Sequence, residues 1–199
     1  MNKIQLKVYL LMREYNGYIT ADIAKEYNIN LRQLQRYAKS GFIERVAQGL
    51  YYHDEFPRDI YYETQFRLPK GIFSYLTSLY LHGLIDKDSD KISLTIPSGW
   101  NSNLIKERNL YDFSYIKEDL WEIGQETIID ENDHIITLYD KERTFVEILQ
   151  EMGKYNYNMV MNLLRDNIEI LDKDKMLYYG SLLSTEEFIN RSIIKIINK

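Results

Sequence analysis

Apolar positions in the first forty residues follow helical spacing, and the breaks between them fall at residues suited to caps and turns. Residues 3–14 carry Ile4, Leu6, Val8, Leu10 and Leu11 among strong helix formers and predict a first helix. Asn16-Gly17 punctuates the chain as a turn. Thr20 then precedes a short helical run, Ala21 to Tyr27, as its N-cap, with Asp22 complementing the positive end of the helix dipole. Asn28-Ile29-Asn30 forms a turn. Asn30 is placed to cap a second helix over residues 31–40, with Gln33 in a capping-box relation and Gly41 as the stop. Leu31, Leu34 and Ala38 are expected to share one face, leaving Arg32, Gln33, Gln35, Arg36 and Lys39 on the rest.

Past Gly41 the pattern changes. Phe42 to Val46 and Leu50 to His53 are β-prone runs around Ala47-Gln48-Gly49, which reads as a hairpin. A helix, a two-helix turn unit and a hairpin follow the winged helix-turn-helix order. The expected fold class is therefore α+β: a winged helix-turn-helix over residues 1–55, then a mixed α+β domain over residues 56–199 that ends in helices. Within the second domain helices are expected at 59–67, 72–82 and 140–152, and strands at 92–96, 113–117, 121–129 and 134–139. Three more helices are expected from Asn158 to the end, broken near Asp172 and Ser184.

Charge changes this picture. The 199-residue chain carries a net −5, which argues against a protein that simply coats DNA. Residues 1–53, however, hold eight Lys/Arg against four Asp/Glu, a net of +4, and residues 54–199 hold 17 against 26, a net of −9. A basic head on an acidic body permits DNA binding through the head. The 45% apolar and 28% charged fractions suit a soluble chain with a buried core. No run of about 18 apolar residues predicts a membrane span. No secretory signal is evident, and a chain without cysteine has no disulfides, so a cytoplasmic location is expected.

The residues of the second helix suit base reading. A B-DNA major groove accepts one α-helix, whose outward Arg can pair bidentately with guanine and Gln with adenine, each worth roughly 1–3 kcal/mol of discrimination. Arg32, Gln33, Gln35 and Arg36 are the candidate base readers. Lys25, Lys39 and Arg45 are candidate phosphate contacts, which position without specifying sequence. Arg45 and Gln48 lie where a wing would touch the duplex. A solvated helix face is the competing reading of these residues, and the place of the helix between a capped turn and a hairpin favours DNA.

Three stretches carry a resemblance to a known family. The first is Gly17-Tyr18-Ile19-Thr20-Ala21-Asp22-Ile23-Ala24 with Gly41-Phe42-Ile43-Glu44-Arg45-Val46-Ala47-Gln48-Gly49-Leu50-Tyr51. The second is Pro69-Lys70-Gly71-Ile72-Phe73-Ser74, leading to Thr77-Ser78-Leu79-Tyr80-Leu81-His82-Gly83-Leu84. The third is Tyr139-Asp140-Lys141-Glu142-Arg143-Thr144-Phe145-Val146-Glu147-Ile148-Leu149. In this order they resemble the AbiEi-family antitoxins. The resemblance implies a type IV toxin–antitoxin system that also acts in abortive infection and phage defence. It implies an antitoxin that binds inverted repeats in its own promoter as double-stranded DNA, represses the operon, and counteracts a nucleotidyltransferase-like toxin without a stable complex. Inverted repeats further imply self-association on DNA.

Catalytic chemistry is not expected. His53, His82 and His134 are read as isolated, so no metal site is predicted. No phosphate-binding glycine loop occurs. Ser74 and His82 lack a nucleophile elbow. Asp140-Lys141-Glu142-Arg143 is expected to cap a helix and form local ion pairs. No cofactor is implied. Two alternatives keep part of this reading: a ligand-sensing winged-helix transcription regulator, and a winged-helix protein-interaction module.

Overall fold

Caps and left-handed turns set where the first three helices begin and end. In the computed structural model, which describes residues 1–100 and 107–197, helix α1 (Lys3–Glu14) opens on Asn2. The Asn2 carboxamide accepts from the Ile4 and Gln5 N–H groups, and Gln5 reaches back to the Asn2 N–H at 2.8 Å. The helix stops at Asn16 and Gly17, both with positive φ, where the Gly17 N–H donates to the Met12 carbonyl. A Cβ on Gly17 would lie 2.6 Å from the Phe56 Cβ, so the close approach of Phe56 requires glycine there.

Strand β1 (Tyr18–Thr20) follows, and the Thr20 hydroxyl accepts from the Ile23 N–H to cap α2 (Ala21–Glu26). Asn28, at φ +56°, then closes α2 in a Schellman motif: the Ile29 N–H donates to the Ala24 carbonyl and the Asn28 N–H to that of Lys25. Buried Ile29 is the apolar anchor of that turn. Helix α3 (Leu31–Lys39) starts where Asn30 accepts from the Arg32 N–H at 2.9 Å. The predicted capping box with Gln33 does not form, because Asn30 satisfies the second free N–H of the helix rather than the third. Gly41 ends α3 in a second Schellman motif, through the Phe42 N–H to Tyr37 carbonyl bond, and the Tyr37 and Phe42 rings meet edge to face.

Strands β2 (Glu44–Ala47) and β3 (Leu50–Tyr52) form the hairpin, and β1 pairs on the far side of β3, giving an antiparallel sheet in the order β1-β3-β2. β1 was not legible as a strand: three residues between a turn and a cap are too few to show alternation. Val8, Met12, Ile19, Ala24, Leu34, Tyr37 and Tyr51 close a core between the three helices and this sheet.

Two compact units emerge. The first contains Met1–Pro69 and Ile129–Ile136, so it runs past residue 55. The reason is α4 (Ile60–Arg67), whose Tyr62 and Phe66 pack on Tyr18, Val46, Leu50 and Tyr52. Tyr18 ties the joint: its hydroxyl accepts from the Asp59 N–H and donates to the buried Glu63 carboxylate.

The second unit takes the described residues of Lys70–Ile128 and those from Thr137 onward. It holds β4 (Ile72–Phe73), α5 (Tyr75–Leu81), β5 (Ile92–Pro97), β6 (Tyr111–Ile116), α6 (Glu118–Trp121) and most of β7 (Gln125–Ile129) and β8 (Ile135–Tyr139), whose facing ends at Ile129, Ile135 and Ile136 belong to the first unit. Helices α7 (Lys141–Gln150), α8 (Tyr157–Asn167), α9 (Lys173–Leu182) and α10 (Glu186–Ile197) complete it. The sheet order is β6-β5-β4-β8-β7, with β5 antiparallel to β4 and parallel to β6. The fold is thus mixed α+β, with ten α-helices and two sheets among the described residues.

Three sequence expectations change here. The helix expected over 72–82 begins as a strand, because Ile72 and Phe73 are buried and pair with β5, and Ser74 precedes the true helix. The strand expected over 121–129 is a helix end, a turn and a strand. Gly124 makes that turn at φ +82°, and a Cβ there would press on Arg143. The helix expected to reach Met152 stops at Gln150, and a short 3-10 turn, Met152–Lys154, follows. No helix of the described residues is long and apolar enough to cross a membrane.

Candidate nucleic-acid interface

Helix α3 is held by one face and open on the other. Leu34 is fully buried and Tyr37 nearly so, with the Tyr37 hydroxyl donating to Asn2 at 3.3 Å. Tyr37 takes the core position expected for Leu31, which is 42% exposed. The exposed positions are Leu31, Arg32, Gln35, Arg36 and Lys39. At 100° per residue, Arg32, Gln35, Arg36 and Lys39 fall at i, i+3, i+4 and i+7, one stripe opposite the buried face. Gln33 is half-buried and lies on the flank of the stripe.

The stripe is chemically unspent. The Arg32, Gln35 and Lys39 heads make no hydrogen bond or ion pair among the described residues, and the Arg36 guanidinium lies 5.8 Å from the Tyr37 ring centre. Five guanidinium donors on each arginine and the donor–acceptor amide of Gln35 are therefore available to an external surface.

Lys25, at the end of α2, is exposed, as is Arg45 on β2. Gln48 is exposed at the tip of the hairpin, where Gly49 has φ +85°. The Gly49 carbonyl accepts from the Ala21 N–H at 2.7 Å, which fixes the hairpin tip to the start of α2. An open groove of about 730 Å³ runs along Gln35, Lys39, Phe42, Glu44 and Arg45. Glu44 would weaken a positive surface beside Arg45, but Arg58 holds it at 3.1 Å. Arg58 also binds Glu63 at 2.8 Å, and these carboxylates push its pKa up. Arg58 is thus a structural cation, and Lys25, Arg32, Arg36, Lys39 and Arg45 remain as the outward charge.

The expectation that each histidine stands alone fails at His134. Its Nδ1 lies 2.6 Å from an Asp59 carboxylate oxygen and 3.7 Å from one of Asp130, and its ring stacks on Tyr62 at 3.9 Å. The ligand-type atoms of Asp59, Asp130 and His134 lie within 4.8 Å of one another. They are committed to the fold. The other Asp59 oxygen caps α4 through the Tyr61 and Tyr62 N–H groups, and an Asp130 oxygen accepts from the Asn132 and His134 N–H groups. Burial raises the Asp59 pKa, but hydrogen bonds from His134 and Asp130 outweigh it and hold the carboxyl below its usual value. Asp130 is pushed up, by burial and by its neighbour Asp59. The trio pins residues 130–134 to the start of α4. The Asp130–His134 spacing was visible in the sequence; Asp59, 75 residues away from His134, was not.

His82 ends α5 with a buried ring whose Nε2 meets the Tyr139 carbonyl at 2.9 Å. His53 accepts from the Glu55 N–H and packs among Tyr9, Phe42 and Phe56. Ser74 is buried as the residue before α5.

No protein-family model and no curated relative matches the chain. Among solved structures the chain is similar to the crystal structure of the RV2827C protein from Mycobacterium tuberculosis, with a TM-score of 0.61 and 12% identity. The match covers 94% of this chain and 75% of that one. At this identity the likeness shows a shared fold.

Proposed function

We propose that the first unit is a winged helix that reads double-stranded DNA through α3, and that the chain is an autorepressing antitoxin of the AbiEi type. The observation that carries the DNA reading is the exposed stripe of Arg32, Gln35, Arg36 and Lys39, backed by the buried pair Leu34 and Tyr37. A helix anchored on one side and basic, polar and unpaired on the other fits a major groove. Arg32, Gln35 and Arg36 are the base readers in this reading, with Gln33 at the margin. Lys25, Lys39, Arg45 and Gln48 contact the backbone. The antitoxin half rests on the three sequence stretches that resemble the family.

The test places the chain's upstream region before a reporter and a nucleotidyltransferase-like toxin under separate control. The wild-type chain is expected to lower reporter output and restore growth. Arg36→Ala is expected to lose most of the repression and keep the rescue. Loss of rescue in a folded Arg36→Ala protein would break the division between DNA reading and antitoxicity.

A second reading, a regulator that senses a small molecule, has one observation in its favour. A cavity of about 740 Å³ in the second unit is lined by Tyr75, Thr95, Glu147 and Glu151. Buried oxygens of Thr95 and Glu147 lack partners among the described residues. A compound that shifts operator affinity would favour that reading.

A further inference from the structure

Leu31 is the one exposed apolar side chain of α3 and borders its open face. The other exposed positions of that helix, Arg32, Gln35, Arg36 and Lys39, are polar or charged. A single exposed leucine is ordinary on a protein surface, and its position gives this one its meaning. It is the first residue of the helix, directly after the Asn30 cap. Base edges are reached chiefly by the N-terminal turn of a helix docked in the major groove. The Asn30 cap fixes the start of that turn, and buried Leu34 and Tyr37 fix its rotation, which sets Leu31, 42% exposed, at the border of the open face beside Gln35.

The chemistry of the groove narrows what an isobutyl group can meet there. Guanine, cytosine and adenine present hydrogen-bonding atoms on the major-groove edge, which a leucine would desolvate without replacing. Thymine alone presents a methyl group. Gln35 stands one helical turn further on, on the same side of the exposed face, and its amide suits adenine N6 and N7. An apolar contact and an amide at i and i+4 therefore suit neighbouring A·T pairs.

We infer that Leu31 is a specificity-determining residue that selects a thymine, through contact with its 5-methyl group, at the position of the operator facing the start of α3. This inference rests on the DNA reading above and adds a residue to it. Leu31 contributes no charge, so its part in affinity is independent of salt, unlike those of Lys39 and Arg45.

The test replaces thymines of the upstream fragment with deoxyuridine one at a time, which removes only the methyl group, and measures binding of the full-length chain and of Leu31→Ala. For the wild-type chain, one position, or one symmetry-related pair, is expected to weaken binding about fourfold per half-site, the factor that burying one methyl group supplies. Leu31→Ala is expected to show less than about a twofold effect at that position and to retain the wild-type response to salt. Because Leu31 is exposed, its removal leaves the fold intact, and an unchanged melting temperature verifies this. If the fragment binds specifically but no deoxyuridine effect depends on Leu31, the assignment is overturned and the DNA reading stands. If the unmodified fragment is bound no better than scrambled DNA, the DNA reading falls and the assignment with it.

Discussion

Arg143 and Glu147 show how far a side chain's setting can depart from its place in the sequence. Arg143 is fully buried and its Nε lies 3.3 Å from the Glu147 carboxylate, which is itself buried. The guanidinium also lies 4.9 Å from the Tyr139 ring centre. The sequence suggests a helix cap with local ion pairs, and both form: Asp140 caps α7 by accepting from the Arg143 N–H, and Arg143 pairs with Glu147 four residues on. The burial was not legible, because it depends on Tyr139 and on Tyr179 from another helix. Burial outweighs the guanidinium and lifts the Glu147 pKa from 4.5 to about 7. A raised acid contributes stability below its unfolded pKa and loses that contribution as pH rises through the folded one. The interval corresponds to about 3 kcal/mol as an upper figure. Unfolding free energy measured by denaturant titration is therefore expected to fall between pH 4.5 and about 7, and Glu147→Gln to flatten that fall. Parallel pH profiles for the two proteins would show that Glu147 is ionised throughout.

At the scale of elements, caps were the most legible feature. Thr20, Asn30, Asp140 and Gly41 all act where local chemistry suggested. Local patterning failed where a long-range partner decides the outcome. Ile72 and Phe73 extend only because β5 and β8 flank them, and β1 exists only because β3 offers it an edge. The exposed stripe of α3 was readable from periodicity, except that Tyr37 rather than Leu31 faces inward. The pin on α4 was missed for the same reason as β1 and β4. Asp59 serves it twice, as helix cap and as partner of His134. Asp59→Ala is expected to cost about 2–4 kcal/mol, combining a lost cap with a lost charge-assisted hydrogen bond. Asp59→Asn is expected to cost less, since it keeps an oxygen for the cap. Chemical denaturation of the two variants checks the order, and equal losses would show that the cap contributes nothing.

For the whole molecule, the uneven charge along the chain does not follow the division into two units. Residues 1–53 hold eight basic against four acidic residues, and the basic side chains there are all exposed, but residues 54–69 and 129–136 of the same unit add two basic and seven acidic residues, so the unit as a whole carries a net −1. In the DNA reading proposed above, affinity arises from the exposed basic side chains of α2, α3 and the hairpin, with a salt dependence set by the few phosphates they neutralise. The most direct measurement is a titration of the purified chain against its own upstream DNA and against scrambled DNA at several salt concentrations, repeated with Arg36→Ala and Lys39→Ala. The expected result is a preference for the upstream fragment that weakens with salt. Arg36→Ala should lose roughly ten- to a hundredfold of that preference. Lys39→Ala should weaken both DNAs alike and lower the salt slope by about one. Equal weak binding to both fragments, or binding indifferent to salt and to both substitutions, would contradict a DNA-reading head.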